Sequence, residues 1–240
     1  MVTASSAKWR LFKGQLIYLR KALKIVGGGD AGECPVCAYW GQFINSGNPP
    51  LPGVKCPSCK SAPRHRLLKL MLDREHTVPP GAEILHFAAE RGMRSMITGL
   101  RPSRYVTADI EPGFDVQVNI ENLAIEDASF DVVICSHVLE HVNDRLALAN
   151  IHRVLRPGGS LIAMVPIVDG WDTTYENPAI TSPRDRTRHF GSPNHVRFYG
   201  RDFPDRLKEA GFSVRDFAGT PENVVRYRLK RGERVFVGKR

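Results

Sequence analysis

Two apolar runs constrain this chain more than any other feature: Phe130-Asp131-Val132-Val133-Ile134-Cys135, and Ser160-Leu161-Ile162 running on to Val165. Between them come a polar break at Ser136-His137, a helical stretch to Val154, and a Pro157-Gly158-Gly159 turn. Strands that are apolar on both faces and joined through a helix form a parallel sheet covered on both sides. Such sheets bind ligands beyond the carboxyl ends of their strands, which puts Ser136 and His137 at the mouth of a site.

The segments Ser136-His137-Val138-Leu139-Glu140-His141-Val142 and Arg153-Val154-Leu155-Arg156-Pro157-Gly158-Gly159-Ser160-Leu161-Ile162 resemble the fourth-strand region of class I S-adenosylmethionine-dependent methyltransferases, in particular the type 11-like branch that methylates small molecules and some RNAs. The resemblance implies an α/β fold: a Rossmann-like, doubly wound, mostly parallel sheet with S-adenosylmethionine as cofactor. A chain of 240 residues is long enough for such a domain and a small appendage. No apolar run reaches the roughly 18–20 residues that span a bilayer. Over residues 8–26 the apolar positions are broken by Lys8, Arg10, Lys13, Arg20, Lys21 and Lys24, so no signal segment forms and a cytoplasmic location is expected.

Four of the five cysteines make the second informative pattern. Cys34-Pro35-Val36-Cys37 and Cys56-Pro57-Ser58-Cys59 are two C-x2-C pairs separated by eighteen residues, the spacing of a four-thiolate zinc site. A disulfide pair is disfavoured by a cytosolic location and a redox C-x-x-C by the doubling of the motif. Four sulfurs leave no open coordination position, so the expected Zn2+ is structural. The gap has room for a hairpin containing Tyr39 to Phe43. Cys135, by contrast, reads as a buried packing thiol; the Pro-Cys pair of cytosine methylation is missing.

These features divide the chain into a basic amphipathic arm (1–29), a zinc-ribbon-like module (30–61), a connecting helix (62–80) and a methyltransferase domain (81–240) with an insertion over 167–199. The arm has Trp9, Phe12, Leu16, Leu19 and Leu23 at helical spacing. It either packs on the domain or gives peripheral membrane contact through residues 8–26.

Within the main domain the first strand is Glu83 to Phe87. The methyltransferase pattern then asks for a glycine-rich turn, but the chain offers Ala88-Ala89-Glu90-Arg91-Gly92, similar to a subfamily reading His-Phe-Ala-Pro-Glu. Alanine permits close approach of a ligand but not the positive φ that glycine tolerates. By this resemblance Phe87, Ala88 and Glu90 face the cofactor, Glu90 accepting from its ammonium group or serving only as a helix-start charge. Asp109 ends the second strand, where an acceptor-only carboxylate takes hydrogen bonds from both ribose hydroxyls. A third strand is expected over Asp115 to Val118, followed by Asn119 and Ile120 at the adenine position; Ser136 completes the cofactor set. His137, at the strand exit, is the candidate general base, with His141 a turn later.

The segment His189-Phe190-Gly191-Ser192-Pro193-Asn194-His195-Val196-Arg197-Phe198-Tyr199-Gly200 resembles a signature of the same zinc-containing subfamily. It offers His195 and Arg197 either to contact substrate or lid, or to hold the insertion onto the domain. The methyl acceptor is not readable. The amino-methylation motif Asn/Asp-Pro-Pro-Tyr is absent, and a small molecule or glycan is favoured. An RNA substrate remains an alternative, supported by the zinc module and a net charge of +9. So does a non-catalytic binding module on the same scaffold.

Overall fold

The computed structural model describes residues 31–47 and 51–240. The basic arm, with the membrane contact ascribed to residues 8–26, lies outside the described residues. Two compact units are present: one comprises the described part of Met1–Arg66 together with Pro221–Leu229, the other Leu67–Thr220 together with Lys230–Arg240. The sequence division had kept 81–240 continuous; nine of those residues instead group with the cysteine module.

In the first unit, β1 (Ala31–Glu33) pairs antiparallel with β2 (Trp40–Gln42), and β3 (Ile44–Ser46) with β4 (Leu51–Lys55). The gap between the cysteine pairs therefore does not hold one hairpin around Tyr39–Phe43. The first C-x-x-C turn, closed by Ala38 N–H donating to Cys34 O at 2.8 Å, sends β2 back along β1, and the hairpin follows it. α1 (Pro63–Glu75) begins in this unit. Its Arg66 is fully buried and donates to four backbone carbonyls: Val54 at 2.9 Å, Ser61 at 2.7 Å, Tyr227 at 2.7 Å and Arg228 at 2.6 Å. Its guanidinium lies 4.7 Å from the Phe43 ring centroid. One side chain thus ties the module to a segment distant in sequence, which includes a short helix over Pro221–Arg226.

The second unit is a Rossmann-like α/β fold. Its elements are β5 (Glu83–Phe87), α2 (Arg91–Thr98), β6 (Arg104–Asp109), β7 (Val116–Gln117), β8 (Phe130–Ser136), a 3-10 turn (Leu139–His141), α3 (Asp144–Val154), β9 (Leu155–Met164), β10 (Tyr175–Glu176), α4 (Pro183–Phe190), β11 (Arg197–Phe198), α5 (Phe203–Glu209), β12 (Ser213–Ala218) and β13 (Arg234–Lys239). The sheet runs β12-β13-β9-β8-β5-β6-β7. Strands β9, β8, β5, β6 and β7 are parallel, and β13 runs antiparallel between β9 and β12. Strand order reverses at the β5–β8 junction, where open α/β sheets leave a crevice beyond their carboxyl ends.

The apolar strand runs form the core. Val132, Val133, Ile134 and Cys135 of β8 are fully buried, as are Ala147, Ile151 and Val154 on one face of α3. Asn143 caps α3 by accepting from Leu146 N–H, which fixes where the chain leaving β8 turns back. The third strand is shorter than expected because Asp115 has a different task. Its carboxylate accepts from the Thr107 amide at 2.8 Å and hydroxyl at 2.7 Å, so pairing starts at Val116.

Candidate functional site

A cavity of about 400 Å³ opens beyond the carboxyl ends of β5, β6 and β8. That is within the range of small-molecule sites. Phe87 and Ala88 line it from β5, Ala108, Asp109 and Ile110 from β6, and Val118, Asn119 and Ile120 from the segment after β7. His137, Val138, His141 and Val142 line the side below β8, and Arg186 and Asn194 of the insertion close the remaining edge.

Local geometry explains how several of these side chains are held. Ala88 takes φ +49°, a left-handed conformation, and its N–H donates to Ala108 O at 2.9 Å. The expectation that alanine here would avoid a positive φ is therefore corrected: the chain makes the glycine-type turn without glycine. The cost, about 1 kcal/mol, is offset by the packed strands on either side. Asp109 accepts from Glu111 N–H at 3.0 Å, and Asn119 Oδ1 from Glu121 N–H at 2.9 Å. These turns fix both side chains at the cavity wall. Ile110, 62 % exposed, supplies an apolar surface directly after the Asp109 carboxylate.

His137 also has a positive φ, +56°, and its N–H donates to Met164 O at 2.8 Å. Its Nδ1 lies 3.1 Å from Glu140 Oε1, and Glu140 is 1 % exposed. With Nδ1–H donating to that carboxylate, Nε2 is left as the acceptor nitrogen; it is buried and has no partner among the described residues. The sequence named His137 but missed Glu140 as the group that orients it, although the three-residue spacing in Ser-His-Val-Leu-Glu-His was available.

Two expected cofactor residues stand outside the cavity lining. Glu90 is the residue preceding α2, and Ser136 ends β8 with its Oγ buried and unpaired among the described residues. Cys135 is fully enclosed, and burial pushes its thiol well above the ordinary range, which suits packing and not nucleophilic chemistry.

Arg197 does not reach the cavity. It is 7 % exposed and donates to Leu139 O at 2.8 Å and to Glu176 Oε2 at 2.9 Å, with Asp144 Oδ1 3.6 Å away. Arg206 completes the network, donating to Asp144 Oδ2 at 3.0 Å and Glu176 Oε1 at 2.9 Å, and the Tyr199 hydroxyl donates to Asp144 at 2.9 Å. Burial raises the Tyr199 phenol, and the Asp144 carboxylate raises it further. Of the two roles open to Arg197, this geometry fits holding the insertion in place. His195 is held by its Nδ1–H donating to Phe190 O at 3.1 Å, and its ring meets that of His141 edge-on at 4.7 Å between centroids.

In the other unit the four cysteine sulfurs lie within 4.8 Å of one another; Cys34–Cys59 is 3.6 Å and Cys37–Cys56 is 3.7 Å. A disulfide requires about 2.05 Å. A sulfur tetrahedron with Zn–S bonds of about 2.3 Å has edges of about 3.8 Å, which these distances fit. The two turns repeat one geometry: Ala38 N–H to Cys34 O and Lys60 N–H to Cys56 O, with φ of +57° at Ala38 and +62° at Lys60. Burial pushes the Cys56 thiol up to about 12. At Cys37 burial acts the same way but is outweighed by the Tyr39 amide and neighbouring groups, which bring it down to about 7. Thiolates this close need a cation to ionise together.

Residues 80–163 match a family described as methyltransferase domain. A probable S-adenosylmethionine-dependent methyltransferase of Mycolicibacterium smegmatis is 33 % identical over 120 residues, covering 49 % of this chain and 40 % of that protein. The chain spans less than half the length of the curated relatives it matches. Among solved structures, the YcgJ protein of Bacillus subtilis superposes with a TM-score of 0.52 at 15 % identity, covering 73 % of this chain and 98 % of that one. A Burkholderia thailandensis 1,6-didemethyltoxoflavin-N1-methyltransferase superposes at 0.50 with 20 % identity, covering 74 % and 76 %. At these identities the likeness is one of fold.

Proposed function

We propose that this chain, whose residues 80–163 match a methyltransferase-domain family, transfers a methyl group from S-adenosylmethionine to a small-molecule or glycan acceptor. The observation that carries this is the set of residues around one cavity: the Ala88 turn, the Asp109 carboxylate, Asn119 with Ile120, and His137. Their order along three adjacent strands matches a nucleotide-bearing ligand laid across the switch point.

The cofactor, when bound, supplies a methyl group already activated on a sulfonium. The chain then has to bind, orient and exclude water. Asp109 accepts from the ribose hydroxyls, Ile110 and Ile120 give apolar surface to the adenine, and Asn119 addresses its polar edge. Phe87 and Ala88 allow the aminoacyl part close to the backbone. His137, steered by Glu140, takes the proton from a hydroxyl acceptor through Nε2. Holding acceptor and methyl group in line accounts for several kcal/mol of barrier lowering. In the other unit Cys34, Cys37, Cys56 and Cys59 hold a structural Zn2+ that contributes to folding.

Calorimetric titration of the zinc-loaded chain with S-adenosylmethionine, beside Asp109→Ala, tests the reading. Saturable binding weakened about ten- to a hundredfold in the variant is expected, corresponding to about 1–3 kcal/mol. A folded wild type that binds nothing would leave a non-catalytic scaffold. If RNA were the acceptor, RNA affinity would fall steeply with salt; the small-molecule reading expects only weak RNA binding.

A further inference from the structure

We propose that Glu140, His141 and His195 form a second metal site, for a divalent transition-metal ion of the Zn2+ class, at the lip of the cavity. One ligand atom from each of the three lies within 4.8 Å of the others. They come from two segments of the fold, the turn after β8 and the insertion before β11, and two hydrogen bonds pin the segments together. Val196 N–H donates to Glu140 O at 2.9 Å, and His141 Nδ1–H to Asn194 O at 3.2 Å.

Hydrogen-bond accounting selects the ligand atoms. Both histidines commit Nδ1–H to a backbone carbonyl, His141 to Asn194 and His195 to Phe190, which leaves Nε2 on each. A carbonyl fixing the far nitrogen is the usual outer partner of a metal-bound imidazole. Glu140 gives Oε1 to His137, while its Oε2 is buried with no partner among the described residues. An unpaired carboxylate oxygen in a residue only 1 % exposed is costly unless something positive completes it.

Two imidazoles and one carboxylate suit Zn2+ or a neighbouring first-row ion better than Mg2+ or Ca2+. Bonds of about 2.0–2.2 Å place ligand atoms about 3.4 Å apart. The ligands therefore draw together when the ion binds, and His141 is the exposed one of the three. Three protein ligands leave a fourth position open, as in catalytic zinc sites, and His141 itself lines the cavity. An ion there would polarise a hydroxyl or carbonyl oxygen of a molecule in the cavity and clasp the insertion to the β8 turn. This site is chemically distinct from the cysteine cluster and does not depend on methyl transfer.

The test is metal stoichiometry of the full chain, stripped and then reconstituted with Zn2+ alone. A second equivalent beyond the cysteine-bound one is expected. His141→Ala and His195→Asn should each weaken it by at least about a hundredfold, more than loss of an outer partner does, while leaving the first equivalent in place. Glu140→Gln should behave likewise; because Glu140 is buried, the exposed His141 variant is the one that separates ligand loss from misfolding. With Co2+ as the probe, the cysteine site shows intense thiolate charge-transfer absorption, and the second equivalent should add ligand-field bands without it. A wild type that takes up only the thiolate-bound ion, or a second equivalent undiminished in all three variants, overturns the proposal.

Discussion

Ala88 and His137 line one cavity, each the first residue beyond a parallel strand and each in a left-handed backbone conformation, with φ of +49° and +56°. The strands they leave, β5 and β8, are hydrogen-bonded neighbours, with Phe87 opposite Cys135. Non-glycine residues at positive φ are uncommon, and two lining one crevice concentrate backbone strain at the proposed cofactor site.

Replacing Ala88 reports directly on that strain. Ala88→Gly should leave stability unchanged or raise it by up to about 1 kcal/mol in urea unfolding, because glycine takes this φ freely. Ala88→Val should cost more than about 1 kcal/mol, as a β-branched residue there is an outlier. Equal destabilisation by both would show that Cβ contacts, and not φ, govern the position.

The buried network around Asp144 gives a second expectation. Arg197→Met leaves Asp144 and the Leu139 carbonyl short of a donor. Breaking one partner of a buried ion pair costs about 3–5 kcal/mol. Limited proteolysis should then cut first within residues 167–199. A variant as resistant as wild type would mean that Arg197 is not needed to fasten the insertion.

Acid should loosen the second unit through three carboxyls held below their usual range. At Asp115 the Thr107 amide and hydroxyl do this. At Asp131 and Glu176 burial opposes ionisation but is outweighed. The Glu83 amide and Arg156 act on Asp131, and Arg206 and Arg197 act on Glu176. A depressed folded pKa means the unfolded chain takes up protons first. The stabilisation is therefore complete above the unfolded value of about 4 and is lost as pH falls through the folded values. Denaturant titrations at descending pH should show stability falling below about pH 4, less steeply in Asp131→Asn. No difference between wild type and variant would remove Asp131 from the account.

Chelation should separate the two units. With the proposed Zn2+ withdrawn, amide exchange should accelerate across residues 31–66 and 221–229, since a small module folded around such an ion draws much of its folding energy from it. The strands β5, β8 and β9 should keep their protection. Uniform acceleration across the chain would mean that the ion supports both units.

Much of this architecture could be read from local pattern. The apolar strands β8 and β9, the capped helix between them and the paired Cys-x-x-Cys turns each follow from residues within a few positions of one another. What could not be read depends on distant partners or on backbone dihedrals. Ala88 carries no mark in sequence of its positive φ. Nothing near Arg66 announces that its acceptors include carbonyls at Tyr227 and Arg228. Arg197 looked equally suited to ligand and scaffold, because only its depth and its two carboxylate neighbours distinguish the roles. Glu140 was visible as a letter in Ser-His-Val-Leu-Glu-His, but its burial beside two histidines belongs to the folded chain.

Arg66 also sets an order of events during synthesis. Domains generally fold as the chain emerges, amino-terminal parts first. Yet this guanidinium reaches an acceptor 161 residues further along, so the cysteine module can form its paired turns early and still lack its final ties. The module made first is completed nearly last, after the entire parallel sheet has left the ribosome. Until Tyr227 and Arg228 arrive, a buried cation waits with half its carbonyls missing, and a chain shortened before residue 221 would never supply them.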